Sequence, residues 1–232
     1  MKIAIIQPYV FPYIGYFQLI NAVDKLVFYD DVNFIKQGWI NRNRILLHDQ
    51  PYLFSIPCTN ISPNKIILDT KVHQNKKWVL KFFKTLEMSY LKAPRFDEVY
   101  NLVRTVLGSD IQSISELAQL SILEVLKYLD MKTIWSKSSE CYNNRHLKKS
   151  ERLINICKQE RAQEYINPIG GVEIYTKEEF LKHGITLHFI KSKAVEYKQF
   201  SDSFVPWLSI LDVLMFNSVE QVQTLLNQYD LI

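Results

Sequence analysis

Apolar and polar positions alternate along the chain in two rhythms. Ile3 to Ile6 is a short apolar run closed by Gln7-Pro8, the pattern of a buried strand. Tyr16 to Val23 then repeats apolar residues at helical spacing, and Lys25 to Tyr29 is strand-like again. This β-loop-α-β unit is the building block of an open parallel sheet with helices on its faces. Further strands are expected at Tyr52 to Ile56, Ile66 to Val72, Thr133 to Ser136, Glu164 to Ile166 and Ile185 to Ile190. Amphipathic helices are expected at Lys76 to Glu87, Ser113 to Leu129, Leu147 to Gln159, Ser209 to Phe216 and Val219 to Tyr229. A helix after Asn167 to Gly171 has Thr176 and Glu179 at capping-box spacing and Gly184 as its stop; Ser218 and Gln221 form a second capping pair. The fold class is therefore α/β, with an open, mostly parallel sheet and additional helices. No internal repeat, linker or low-complexity run divides the chain, so one domain over residues 1–232 is expected.

Composition narrows the class. With 47% hydrophobic and 22% charged residues the balance is globular. The net charge of +4 arises from 28 basic against 24 acidic residues, and Lys71, Lys76, Lys77, Lys81 and Lys84 interleave with Trp78, Phe82, Phe83 and Leu86 as a solvated helix face does. Nucleic acid is not an expected partner. No segment has the length of a membrane span, so membrane insertion is not expected. Cys58, Cys141 and Cys157 are widely spaced and include no C-x-x-C pair, which fits a reducing, cytoplasmic location and suggests neither disulfides nor zinc. The five histidines lack H-E-x-x-H spacing, G-x-S-x-G is absent, and no metal is expected.

Ligands of open α/β sheets sit beyond the carboxyl ends of the strands. By that rule the loop Gln7 to Tyr16 and the segment from Asp30 face one crevice. In the loop, Pro8 and Pro12 stiffen the turn, Gly15 at the helix mouth allows close backbone approach, and Gln7, Tyr9, Tyr13 and Tyr16 are candidate contacts. The second segment, Asp30 to Arg44, joins two carboxylates to an amide-rich, cationic stretch. Asp30 and Asp31 suit proton handling or orientation of an amine. Lys36 and Arg42 suit phosphate, Asn41 and Asn43 suit sugar hydroxyls, and Trp39 suits stacking; Arg44 reads as solvated. A third candidate, Asn167 to Tyr175 with Gly170-Gly171, resembles an anion-binding turn in outline but matches neither a P-loop nor G-x-G-x-x-G. Cys58 reads as a buried, inert thiol.

Taken together, Gln7-Pro8-Tyr9, Pro12-Tyr13-Ile14-Gly15-Tyr16-Phe17, Asp30-Asp31, Asn41-Arg42-Asn43, Ile56-Pro57, Tyr90, Ala93-Pro94 and Phe96 resemble the WbqC-like family, bacterial proteins often encoded among genes for surface polysaccharides. The resemblance continues through Arg152-Leu153-Ile154, Tyr165-Ile166, Gly170-Gly171, Tyr175, Phe180 and Leu208 to Asp212, and covers almost the whole chain. Many relatives carry His before the Gln-Pro pair, where this chain has Ile6. The resemblance implies a role in O-antigen or surface-polysaccharide biosynthesis, with transfer of glycine or another acyl group to an amino sugar. The first β-loop-α-β also looks like the Rossmann-like core of nucleotidylyltransferases, with Tyr13-Ile14-Gly15-Tyr16 where those enzymes have a His-x-x-His-like motif.

The expected substrate is accordingly a nucleotide-linked deoxyamino sugar, Asp30, Asp31 and Tyr13 the expected catalytic groups, and an acyl thioester or ATP the candidate co-substrate. ATP-dependent carboxylate activation, nucleotidyl transfer and non-catalytic glycan binding remain as alternatives, and the oligomeric state is left open.

Overall fold

The short apolar run at the start forms β1 (Lys2–Ile6) and the helical repeat after it α1 (Ile14–Asn21), which leads into β2 (Lys25–Phe28). A computed structural model of the chain describes residues 1–59 and 61–232. β1 and β2 pair in parallel, as the apolar runs predict. Among the described residues the chain continues through β3 (Arg42–Leu47), β4 (Gln50–Ser55), β5 (Cys58–Thr59), β6 (Lys71–Val72), α2 (Lys76–Tyr90), α3 (Phe96–Leu107), α4 (Ile114–Tyr128) and β7 (Ile134–Ser136). It closes with α5 (Lys149–Gln159), β8 (Glu164–Pro168), α6 (Lys177–Leu181), β9 (Thr186–Ser192), α7 (Ile210–Phe216), α8 (Val219–Leu225) and β10 (Tyr229–Leu231).

The main sheet has the order β10-β9-β8-β1-β2-β7, parallel except for β10 at the edge. Side chains of successive strand residues point to opposite faces. Ala4, Leu26 and Phe28 therefore pack with α1, α4 and α7, while Ile3, Ile5 and Val27 pack with α5 and α6 on the other side. Helices cover both faces, which is why these strands are apolar runs. The chain leaves β1 towards β2 and β7 and later returns to its other side with β8 and β9. The strand order thus reverses at β1, and the carboxyl ends there frame a crevice.

Several expected elements take a different form. Ile66 to Val72 supplies isolated bridges at Ile66 and Lys71 and the short β6 rather than one continuous strand. Thr176 makes no side-chain cap, and the Glu179 carboxylate accepts from Ser150 Oγ. Val219 to Tyr229 is helical only to Leu225; Tyr229–Leu231 pairs with β9, where the backbone hydrogen bonds of an open sheet edge outweigh helical spacing. The Ser218 and Gln221 capping box forms, and Gly184 takes φ +74 at the end of α6, where an L side chain would be strained. The hairpin β3–β4 turns on His48 and Asp49, both at positive φ (50 and 56), a two-residue turn without the Asn-Gly signature.

Candidate functional site

The loop after β1 is held in a conformation that its own sequence does not favour. Phe11 is fully buried with φ 44, a left-handed geometry that costs a bulky residue energy unless its surroundings enforce it. Its N–H donates to Ser121 Oγ (3.0 Å), and its carbonyl accepts from Asn43 Nδ2 (2.6 Å) and Ser209 Oγ (2.7 Å). Val10 N–H donates to the Ile40 carbonyl (3.1 Å), Ile210 N–H to the Pro12 carbonyl (2.8 Å) and Ser209 N–H to the Arg44 carbonyl (2.8 Å). Four segments far apart in the chain are thereby stitched together: the β1–α1 loop, β3 with the residue Ile40 just before it, α4 and the start of α7.

These stitches shape a cleft of ≈ 220 Å³ lined by Tyr9, Tyr13, Trp39, Asn43, Arg44 and Trp207. Beside it lies a cavity of ≈ 570 Å³ lined by Tyr13, Trp207 and Ser192 to Tyr197 among others, so Tyr13 and Trp207 border both. Their rings lie 6.1 Å apart. Both hollows sit beyond the carboxyl ends of β1 and β9, as an open α/β sheet requires. Trp207 has φ 60, and its carbonyl accepts a long bond from Arg44 Nη2 (3.4 Å). The guanidinium of Arg44 lies 5.2 Å from the centre of the Trp39 ring and that of Arg42 5.9 Å.

Tyr9, Tyr13, Trp39 and Asn43, all expected from the sequence, meet in this cleft. Gly15 matters for a steric reason: a Cβ there would lie 2.4 Å from the Tyr13 ring, which folds over the glycine. Tyr16 is buried edge-on to Tyr9 at 5.4 Å, and its hydroxyl has no partner among the described residues. Burial pushes the hydroxyls of Tyr9 and Tyr16 upward, so both stay protonated. Gln7 is half-buried and Lys36 is exposed. Asn41 Nδ2 is used on the Ile56 carbonyl (2.8 Å), and Arg42 Nε on the Gly38 carbonyl (2.7 Å).

Asp30 and Asp31 form a second cluster. Asp30 is fully buried and accepts from Ser115 Oγ (2.6 Å), Ser138 Oγ (2.6 Å), Ser139 N–H (3.3 Å) and Gln119 Nε2 (3.3 Å). Burial raises its carboxyl above the ordinary range despite these donors. Asp31, 2% exposed, accepts from Ser139 Oγ and from Arg152 Nη2 (2.5 Å). Arg152 also donates to Asn144 Oδ1 (2.9 Å) and lies 4.8 Å from the centre of the Tyr29 ring. The two carboxylates are thus enclosed by protein donors and tie β2 to α4, α5 and the turn Ser139–Tyr142.

The end of β8 forms a third group. Buried Asn167 donates to Tyr165 Oη (2.5 Å), and a Cβ on Gly171 would fall 2.0 Å from Asn167 Oδ1; nothing lies within 4 Å of a Cβ on Gly170. Only the second glycine of the pair is demanded by packing. Tyr175 is half-buried and edge-on to Phe180. Asp212, which stood in the sequence only at the end of the resembling run from Leu208 with no role attached, is fully buried and accepts from Tyr197 Oη (2.6 Å), Gln199 Nε2 (2.7 Å) and Tyr90 Oη (2.7 Å). Arg44, Trp207 and the Arg152 partnership were also missed. Only the alternation of β3 around buried Asn43 could have pointed to Arg44. Burial pushes the Cys58 thiol up to about 12, which leaves it protonated and a poor nucleophile. Among the described residues no three His, Cys, Asp or Glu side chains gather as a metal-binding group.

A mostly parallel sheet covered by helices on both faces, with an aromatic and cationic cleft beyond its strand ends, places the protein among open-sheet α/β proteins. The family model described as the WbqC-like protein family matches residues 7–224, and the chain belongs to that family. It is 28% identical over 220 residues to the uncharacterized protein Rv1507c of Mycobacterium tuberculosis, covering 93% of each chain. No solved structure matches. No helix among the described residues is long and apolar enough to cross a membrane.

Proposed function

We propose that the protein is a transferase of surface-polysaccharide biosynthesis that joins an acyl or aminoacyl group, such as glycyl, to the amine of a nucleotide-linked deoxyamino sugar. The observation that carries this reading is the pair of adjoining hollows sharing Tyr13 and Trp207, because group transfer needs two substrates side by side. The amine nitrogen attacks the carbonyl carbon of a thioester donor; the N–C bond forms, the C–S bond breaks, the thiol departs and the amine loses one proton. No enzyme nucleophile is required, in keeping with the raised Cys58 thiol. Tyr13, at the junction, is the residue assigned to orient the reacting groups, and family membership supports the setting.

The test is incubation with a panel of nucleotide-linked deoxyamino sugars, together with acyl and aminoacyl thioesters or with amino acids and ATP, followed by mass spectrometry for the amide. A product of the expected mass whose formation slows with Tyr13→Phe supports the reading; no product across the panel overturns it. Non-catalytic binding of the same sugar nucleotides is favoured by the enclosure of Asp30 and Asp31, and saturable binding without product selects that reading.

A further inference from the structure

Three arginines near the carboxyl ends of the strands are not equally committed. Arg152 is used up on Asp31, Asn144 and Tyr29, and Arg42 Nε is bound to the Gly38 carbonyl. Arg44 has five N–H donors and, among the described residues, one long bond to the Trp207 carbonyl. Among the described residues it has no carboxylate within ion-pair distance, and its Nε is buried without a partner. An arginine with donors to spare beside an aromatic wall needs an anionic acceptor to satisfy it.

We infer that Arg44 is the anion-binding residue of the cleft and that its ligand is a nucleoside diphosphate moiety. This rests on the reading of the substrate as a nucleotide-linked sugar. The phosphate accepts from the Arg44 guanidinium, whose position against Trp39 is already fixed by the cation–π contact. The planar base lies against the exposed indole of Trp207 and the ring of Tyr13, which are tilted by 55° to each other. At ≈ 220 Å³ the cleft has room for one ring and its anionic neighbour. The sugar extends past Tyr13 and Trp207 into the ≈ 570 Å³ cavity, where the acyl donor meets it. The arrangement exchanges the roles read from the sequence: Arg42 braces the turn through Gly38, and Arg44 grips the ligand.

Trp39 and Trp207 both line the cleft, so tryptophan fluorescence reports on it directly. The experiment titrates uridine, thymidine, guanosine and cytidine diphosphates, the matching nucleosides and inorganic pyrophosphate into the full-length protein, with calorimetry in parallel. At least one diphosphate is expected to quench the emission saturably. Arg44→Ala and Arg44→Gln are expected to weaken that diphosphate about ten-fold or more while leaving the far-ultraviolet circular dichroism intact, and Arg44→Lys is expected to recover only part of the loss. The matching nucleoside, lacking phosphate, is expected to bind both forms equally. Failure of every diphosphate to bind overturns the inference, as does unchanged affinity in Arg44→Ala or a larger loss in Arg42→Ala than in Arg44→Ala. Diphosphate binding that depends on Arg44, without any amide product, leaves the inference standing and removes only the acyl-transfer reading.

Discussion

Arg152 donates from Nη2 to Asp31 Oδ2 across 2.5 Å with both side chains enclosed, joining the first turn of α5 to the segment just after β2. Removing one member of such a pair strands the other charge without water, whereas removing both does not.

Arg152→Met is therefore expected to destabilise the fold by about 3–5 kcal/mol, and adding Asp31→Asn is expected to recover a large part of that loss. Urea denaturation of the two variants measures the difference. Equal stability of the single and double variants would show that the pair is not coupled.

Asn43 was expected to contact a sugar, but its amide also carries the strained loop. Asn43→Ala is expected to cost about 1–3 kcal/mol by leaving the Phe11 carbonyl with one donor fewer. Because Ser209 Oγ serves the same carbonyl, Ser209→Ala is expected to be non-additive with it. A double-mutant cycle by denaturation reads this coupling, and strict additivity would argue against a shared restraint on Phe11.

Gly15→Ala places a methyl where the Tyr13 ring lies. The ring is the mobile partner, so the expected outcome is displacement of Tyr13 at a modest stability cost of about 1–2 kcal/mol. Quenching by the bound diphosphate is expected to fall. A variant that keeps full quenching would place Tyr13 outside the ligand contact.

Burial raises the Asp212 carboxyl above the ordinary carboxylate range, although Tyr197, Tyr90 and Gln199 all donate to it. The folded state then holds its proton more tightly than the unfolded chain. Its contribution to stability is full in acid and declines as pH rises through the raised folded value. Asp212→Asn, which cannot ionise, is expected to gain stability relative to the parent between about pH 4 and about pH 7. Paired urea titrations at the two pH values check the sign; a gap that stays constant or moves the other way would contradict it.

The architecture was legible where a segment buries its own pattern. The apolar run Ile3 to Ile6 forms within β1, and the helix read over Ser113 to Leu129 forms as Ile114–Tyr128, with Ser113 and Leu129 as its caps. α3 was passed over although Val99, Leu102, Val103 and Val106 recur at helical spacing and are buried. β3 was harder to see, since its inward position Asn43 is polar and the turn that closes it is His48-Asp49. β10 exists because β9 offers it an edge, which no local pattern encodes. The site followed the same division. Tyr9, Tyr13 and Trp39 were visible as aromatic candidates on two segments, whereas Trp207 joins them from across the chain; Arg42 and Arg44, two residues apart on β3, share a face, and what separates them is the Gly38 carbonyl that engages Arg42 Nε.

The position of β1 also sets an order of assembly. Its partners are β2, reached after one helix, and β8, which begins at Glu164. A chain emerging from the ribosome therefore carries a central strand with one edge open until most of the protein has been made. The hydrogen bond from Ser209 to Phe11 comes later still, 198 residues from the loop it restrains. The cleft is consequently among the last features to take shape, and an interrupted chain that had already built β1, α1 and β2 would still lack its Trp207 wall.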